Sequence, residues 1–182
     1  MGSRFVIALL TAFVLTLSVL GAIYAATRLA MPTPRDRFLT SYFEFDLAPG
    51  WSCELDGTEY VCEPAGKPPF PAIAVIAMKE RNNKDSLEEY QAHLRAQQPI
   101  TAKNGETRLS EVREIKRTML GGKEWVESLH AESELPNYLT YYLATTTSAL
   151  GILVTMSVHK DSAGKYKREL DQMMSSLTVY QR

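Results

Sequence analysis

Cys53 and Cys62, the two cysteines of the chain, are the residues whose type and spacing most directly indicate chemistry. A zinc site needs four ligands at short spacings such as C-x₂-C, and a thioredoxin-like redox centre needs C-x-x-C. The C-x₈-C spacing, with no clustered histidines, supplies neither. We therefore predict a disulfide, with two unrelated buried thiols as the alternative. Because disulfides persist in oxidising compartments, the pair indicates an exported protein.

The three histidines are the next candidates, because imidazole changes its charge near neutral pH. His93 lies on a predicted helix, one position from its apolar stripe, and is expected to face solvent. His130 and His159 end predicted strands and could approach one another, with Glu132 as a carboxylate partner for acid–base catalysis. Two separate surface histidines are the simpler interpretation. No nucleophile elbow, zinc-protease helix, phosphate loop or dinucleotide-binding motif occurs, so we predict no catalytic residue, metal site or cofactor.

Aromatic side chains indicate where a partner could bind. Tyr141 and Tyr142 are neighbours on one predicted strand, so their rings point to opposite faces and one is expected to be exposed. With His130 and His159 they form the predicted contact surface. Trp51, which follows a Pro-Gly pair, is expected to fill the core.

The hairpin that carries the cysteines has a testable register. If Gly57 and Thr58 form the turn, facing residue numbers add to 115, and the two cysteines face each other. Opposed residues on antiparallel strands are close enough for a disulfide. If Asp56 and Gly57 form the turn, the sum is 113 and the sulfurs miss each other.

Alternation and capping signals predict the other elements of the first half. Phe43, Phe45 and Leu47 alternate with acidic residues and indicate a strand buried on one face. The nearly continuous apolar run 72–78 predicts a central strand covered on both faces.

A helix is predicted over residues 86–98, because Ser86 and Glu89 form a capping box. Residues 99–110 are expected to form a mobile loop.

The second half predicts a meander of strands, then a helix and a short last strand. The strands are expected near residues 111–119, 123–132, 138–147 and 150–159. The helix is expected to be capped by Asp161 or Ser162, and its core positions are Tyr166, Leu170, Met173 and Leu177. Grouped antiparallel strands with few helices define the fold class as α+β, a mostly antiparallel sheet flanked by helices.

The chain opens with 23 uncharged residues between Arg4 and Arg28. As a helix they would extend about 34 Å, enough to cross a hydrocarbon core of about 30 Å. We predict an apolar transmembrane anchor, with a signal peptide cleaved after Ala25 as the alternative. The chain then divides into anchor, linker and folded domain: residues 1–30, 31–40 and 41–182.

Charge bears on topology and on partners. Three arginines, Arg28, Arg35 and Arg37, follow the apolar segment and only Arg4 precedes it, which by the positive-inside rule favours a cytoplasmic domain. The cysteines favour the exported side, and we adopt that side as the prediction. Residues 38–182 carry 16 Lys and Arg against 20 Asp and Glu, which argues against a nucleic-acid partner.

Several motifs occur along the chain in an order that is found in a known family. They are FDLAPGW (45–51) with the hairpin after it, SLEEY (86–90), LGGKEWVE (120–127) and MMSSLTVY (173–180). This order, which covers nearly all of residues 41–182, resembles the PsbP/DcrB superfamily. The resemblance implies an α/β/α sandwich and an accessory or binding module, as in lumenal photosystem II accessory and bacterial envelope proteins. Lipoprotein members carry a cysteine after their apolar segment; this chain has none there, so a lipid anchor is not implied.

Together these observations predict a non-catalytic binding or assembly module. It would be anchored in the inner membrane by a single span, with its domain on the periplasmic side, as an accessory to an envelope complex with a protein partner. The alternative is a soluble secreted domain, released by signal-peptide cleavage, that binds a small ligand between sheet and helix. A weak acid–base enzyme that uses His130 and His159 is a minor alternative.

Overall fold

The computed structural model of the chain describes residues 36–101, 107–133 and 137–180. The predicted anchor or signal peptide, residues 1–30, lies outside these ranges. Within them, no helix has the length and apolar character needed to cross a membrane.

The described residues form twelve β-strands and two α-helices. The strands of the first half are β1 (Arg37–Leu39), β2 (Phe43–Asp46), β3 (Trp51–Asp56), β4 (Glu59–Pro64), β5 (Ala72–Glu80), β6 (Pro99–Thr101) and β7 (Thr107–Leu109). Those of the second half are β8 (Glu111–Leu120), β9 (Lys123–Ala131), β10 (Tyr138–Thr146), β11 (Leu150–His159) and β12 (Thr178–Val179). Helix α1 (Leu87–Arg95) follows β5, and helix α2 (Ala163–Ser175) follows β11.

A seven-stranded sheet with the order β3-β4-β5-β11-β10-β9-β8 forms the centre of the domain. Strands β1, β2 and β12 form a second sheet, and β6 pairs with β7. Neighbouring strands in the described residues run antiparallel. The predicted α+β class is therefore confirmed.

The two faces of the seven-stranded sheet are covered differently. The closed face, which carries Ile76 and Val154, packs against α2 and β2. The open face, which carries Val75, Ala77 and Leu153, packs against α1 mainly over β8, β9 and β10.

The closed face holds the main core. Phe43 and Phe45 of β2 are buried, as are the predicted core positions of the last helix: Tyr166, Leu170, Met173 and Leu177. Trp51 is buried as expected, and its Nε1 donates a hydrogen bond of 2.7 Å to Glu169 Oε2. The alternation in β2, β11 and α2 places apolar side chains on one side of each element, so these elements pack together.

The predicted hairpin register is confirmed. Facing residues in β3 and β4 have numbers that add to 115, and Cys53 forms a disulfide with Cys62, with their Cα atoms 4.0 Å apart. Gly57 has a positive φ of 62° in the turn, a conformation that glycine adopts without steric cost.

Three local predictions are wrong. Helix α1 ends at Arg95, because the chain leaves the helical conformation at Ala96. Residues 99–110 contain the β6–β7 hairpin, which Ser110 ties back through hydrogen bonds with Gln98. Strand β5 is covered fully on one face only, because α1 does not extend over it. Strand β1 lies within residues 31–40, the predicted linker, and the division into anchor, linker and domain stays a prediction, because residues 1–35 lie outside the described ranges.

Candidate functional site

A groove opens on the open face, beside α1 and above β5, β10 and β11. It has a volume of about 300 Å³, and its walls are mainly apolar. The residues that shape it are Ala77, Tyr90, Leu94, Ala144, Gly151 and Leu153. A volume of this size lies at the lower end of the roughly 300–1,000 Å³ found for small-molecule sites.

Small side chains create the space in the groove. Ala77, Ala144 and Gly151 line it from three different strands. A Cβ atom added at Gly151 would overlap the hydroxyl oxygen of Tyr90. Glycine inside a strand often marks such a close approach, and here it lets α1 lie low over the sheet.

Asp85 fixes the start of α1 beside the groove. Its side chain is 2% exposed, and the carboxylate accepts hydrogen bonds from Asn82 N–H at 2.7 Å and from the Tyr90 hydroxyl at 3.0 Å. Lys79 Nζ lies 2.7 Å from the same carboxylate. The lysine and the Asn82 amide lower the pKa of Asp85, while burial and the bond to Asp85 raise the pKa of Tyr90 to about 12. Asp85 is thus a charged anchor for the start of α1.

Two side chains at the mouth of the groove, Lys79 and His93, carry nitrogen atoms that can bond a ligand. The side chain of Lys79 is 58% exposed, although its ammonium pairs with Asp85. His93 is exposed, and its ring has no hydrogen-bond partner among the described residues. None of the described residues that line the groove carries a carboxylate. The mouth therefore offers hydrogen-bond donors, among them the exposed ammonium of Lys79, to a ligand.

His130 fixes the other end of α1. It is fully buried; its Nε2 lies 3.0 Å from the carbonyl oxygen of Leu94, and its Nδ1 lies 2.9 Å from Ser110 Oγ. Because a carbonyl only accepts, Nε2 carries the proton and Nδ1 accepts from the serine hydroxyl. Ser128 Oγ donates a second bond of 3.1 Å to the same carbonyl. Burial lowers the pKa of His130, which keeps the ring neutral.

The two histidines predicted to form an acid–base pair have different environments. The expectation of a surface residue is wrong for His130, which is buried under α1. The side chain of His159 is 39% exposed, and its Nδ1 lies 3.6 Å from Asp161 Oδ2. Glu132, the suggested carboxylate partner, instead pairs with Lys160 at 2.9 Å, which lowers its pKa.

The tyrosines of the predicted contact surface point to opposite faces of the sheet, but neither ring is exposed. Tyr142 is 9% exposed and packs beneath α1, where its ring centre lies 5.0 Å from that of His130 in a T-shaped arrangement. Tyr141 packs against the closed-face core, and Lys167 Nζ lies 5.5 Å from its ring centre. Burial raises the pKa of Tyr141. A contact surface made of these residues stays a prediction.

Beyond the groove, the open face carries an apolar strip that neither helix of the described residues covers. Val61, Ile73 and Val75 lie side by side on β4 and β5 and are partly exposed. The exposed carboxylates of Glu54 and Glu59 flank this strip and have no ion-pair partner among the described residues. This surface combines apolar contact area with negative charge.

The residues that form the groove were not predicted from the sequence. The floor of the groove depends on Gly151, which interrupts an otherwise apolar strand, and on Ala77 within a run already assigned to the core. The glycine was the available signal, because glycine within a strand indicates a close contact.

No protein-family model matches the sequence, and no curated protein matches it. Solved structures do share the fold. The solution structure of cyanobacterial PsbP (CyanoP) from Synechocystis sp. PCC 6803 superposes with a TM-score of 0.54 at 14% identity, covering 82% of this chain and 95% of that one. The chain has the PsbP-like fold. The Ran-binding protein Mog1p of Saccharomyces cerevisiae superposes with a TM-score of 0.50 at 12% identity, covering 81% of this chain and 96% of that one.

The predicted PsbP-like architecture is therefore confirmed at the level of the fold. Helices α1 and α2 lie on opposite faces of an antiparallel sheet, as the resemblance implied.

Proposed function

We propose that the protein is a non-catalytic binding module on the exported side of a membrane, where it is an accessory to an envelope or membrane complex. The observation that carries the proposal is the uncovered strip of the open face, Val61, Ile73 and Val75, beside the groove. Contiguous exposed apolar surface, especially with a polar rim, often marks an interaction site. The acidic side chains beside the strip favour a partner with basic residues around an apolar contact.

Further observations support this proposal. The Cys53–Cys62 disulfide favours an oxidising compartment. Asp85 and Glu132 have lowered pKa values because each binds a lysine, whereas a carboxylate that donates a proton near neutral pH needs a raised pKa. Mog1p is described as a Ran-binding protein, so the fold is compatible with binding a protein.

Crosslinking in the host membrane tests the protein-partner role. The full-length chain is crosslinked in the membrane fraction, its neighbours are identified by mass spectrometry, and each neighbour is tagged in turn for reciprocal capture. We expect a reciprocal neighbour that Val75→Glu loses, because the change puts a charge into the apolar strip. Met119→Glu is the matched control, because Met119 is 64% exposed on the opposite edge strand of the same sheet. Equal capture by both variants, or no reciprocal neighbour, contradicts the proposal.

The intact mass of the native protein tests the anchor and the compartment. A full-length mass that rises on reduction by the hydrogens of a disulfide supports an anchored, exported domain. Free thiols on a full-length chain contradict export. A mass that starts near residue 26 means that a signal peptide has been removed.

The second candidate function is a soluble exported domain that binds a small ligand between sheet and helix. The groove of about 300 Å³ favours it, because it offers an apolar cavity with a polar mouth. Removal of the N-terminal segment would favour this candidate, since a released domain needs no membrane neighbour.

A further inference from the structure

We propose that the groove binds a single-chain anionic amphiphile, with the hydrocarbon chain between α1 and β11 and the negatively charged head at Lys79. This inference rests on the second proposed function and names the ligand class. A free fatty acid and the single chain of an anionic lipid share this chemistry.

The walls of the groove favour a hydrocarbon chain. Tyr90 and Leu94 form the helix side, while Ala77, Gly151 and Leu153 form the sheet side. Burying apolar ligand surface against such walls is favourable in proportion to the area removed from water. A strongly polar ligand would leave its groups without hydrogen-bond partners along these walls.

The side chains at the mouth favour a negatively charged head. The ammonium of Lys79 has three N–H donors, and its short contact is with a single oxygen of Asp85. With 58% of its side chain exposed, it can donate to a second anion without leaving that carboxylate. The exposed ring of His93 adds a further donor beside the groove.

The Asp85 carboxylate does not compete for the head of the ligand. It is 2% exposed and already accepts bonds from the Asn82 amide and the Tyr90 hydroxyl in addition to Lys79. Its charge is therefore neutralised inside the fold. Because none of the described residues that line the groove carries a carboxylate, an anionic head meets the remaining N–H donors of Lys79 without a competing acceptor.

The groove is also held open in advance. Asp85 fixes the start of α1, and His130 with Ser128 binds the carbonyl of Leu94 near its end. A preformed site loses less conformational entropy when it binds a ligand.

Photolabelling of the full-length chain tests the inference. Membranes that contain the chain are incubated with a decanoic acid carrying a diazirine and an alkyne, irradiated, and analysed by peptide mass spectrometry. We expect label on peptides that contain Leu94 or Leu153. Unlabelled decanoate should displace it at about threefold lower concentration than uncharged decanol, as expected for one partly exposed ion pair.

Two variants test the chain position. Ala77→Phe fills the groove, and labelling there should fall roughly tenfold, as expected when several methylene contacts are lost. If Ala77→Phe does not fold, Leu153→Asp serves instead, because Leu153 is 38% exposed and tolerates a polar group. Unchanged labelling in a folded variant overturns the proposal.

A matched pair of lysine variants tests the head position. Lys79→Met should abolish or reverse the preference for decanoate over decanol, because it removes the N–H donors and leaves Asp85 without its ion pair. Lys84→Met is the control, because Lys84 is exposed in the turn that follows β5 and does not line the groove. If Lys79→Met leaves the ratio of the competing decanoate and decanol concentrations unchanged, the assignment of the head to Lys79 is overturned. If the label is confined to residues 1–30, the groove is not the binding site. A negative labelling result would not contradict the protein-partner role, because that role is tested separately by crosslinking of the Val75→Glu variant.

Discussion

The closed and open faces of one sheet are covered in opposite ways. On the closed face, Phe43, Phe45 and Leu170 are at most 1% exposed and pack into one continuous core. On the open face, hydrogen bonds of Asp85 and His130 position a short helix and leave a groove beside it. Apolar burial stabilises the first face, whereas directional bonds shape the second. The difference indicates that the closed face carries most of the stability of the domain and that, among the described residues, the open face is the less covered one.

The largest expected effect lies on the closed face. Phe43→Ala should lower the free energy of unfolding by about 3–5 kcal/mol, because it removes a fully buried ring and leaves a cavity. Val75→Ala on the open face should cost less than about 1.5 kcal/mol, because Val75 is only partly buried. Equilibrium unfolding in guanidinium, followed by circular dichroism, measures both. Similar losses for the two variants would contradict the contrast between the faces.

The Cys53–Cys62 disulfide, which joins β3 to β4, is expected to have the next largest effect on the free energy of unfolding. Reduction should lower the free energy of unfolding by about 2.5 kcal/mol or less, because the closed loop is short and already local. Unfolding with and without dithiothreitol measures the change. The double variant Cys53→Ser with Cys62→Ser should not respond to the reductant. An unchanged unfolding midpoint in the native protein would mean that the hairpin does not need its crosslink.

The closed face could be predicted from the sequence and the open face could not. Alternation in Leu150–His159 and the spacing of Tyr166 and Leu170 identify which side chains are buried, and the cysteine spacing selects the hairpin register. Periodicity does not reveal how far a covering helix extends, so the uncovered side of β5 was missed. The β6–β7 hairpin was missed because Ser110 holds it through side-chain bonds with Gln98 and His130, which leave no periodic pattern.

The pH dependence of stability tests the role of His130 on the open face. Burial lowers its folded pKa below the ordinary value of about 6.5. As the pH falls below about 6.5, the unfolded chain binds a proton that the folded chain excludes, so stability decreases until the folded pKa is reached. Above about pH 6.5 this contribution is fully present. The slope from this residue should not exceed about 1.4 kcal/mol per pH unit.

Unfolding measured at several pH values between about 7.5 and 5 shows whether this slope is present. The variant His130→Gln should be less stable at neutral pH and should lose that part of the slope, because an amide does not titrate in this range. His93→Gln is the control, since His93 is exposed and has no hydrogen-bond partner for its ring among the described residues. A slope that survives in His130→Gln would assign the pH response to other groups.

The smallest expected effect on stability concerns the first residues of the two helices, because only one helix has a side-chain cap. Ser86 Oγ accepts a hydrogen bond of 3.1 Å from Glu89 N–H at the start of α1, whereas Ser162 makes no such side-chain bond at the start of α2. Ser86→Ala should therefore cost about 1 kcal/mol and speed hydrogen exchange in α1, while Ser162→Ala should change stability by less than about 0.5 kcal/mol. If both helices lose protection together in Ser86→Ala, then α1 unfolds only with the whole domain. The groove would then be as rigid as the closed core, and a ligand would have to enter it without movement of α1.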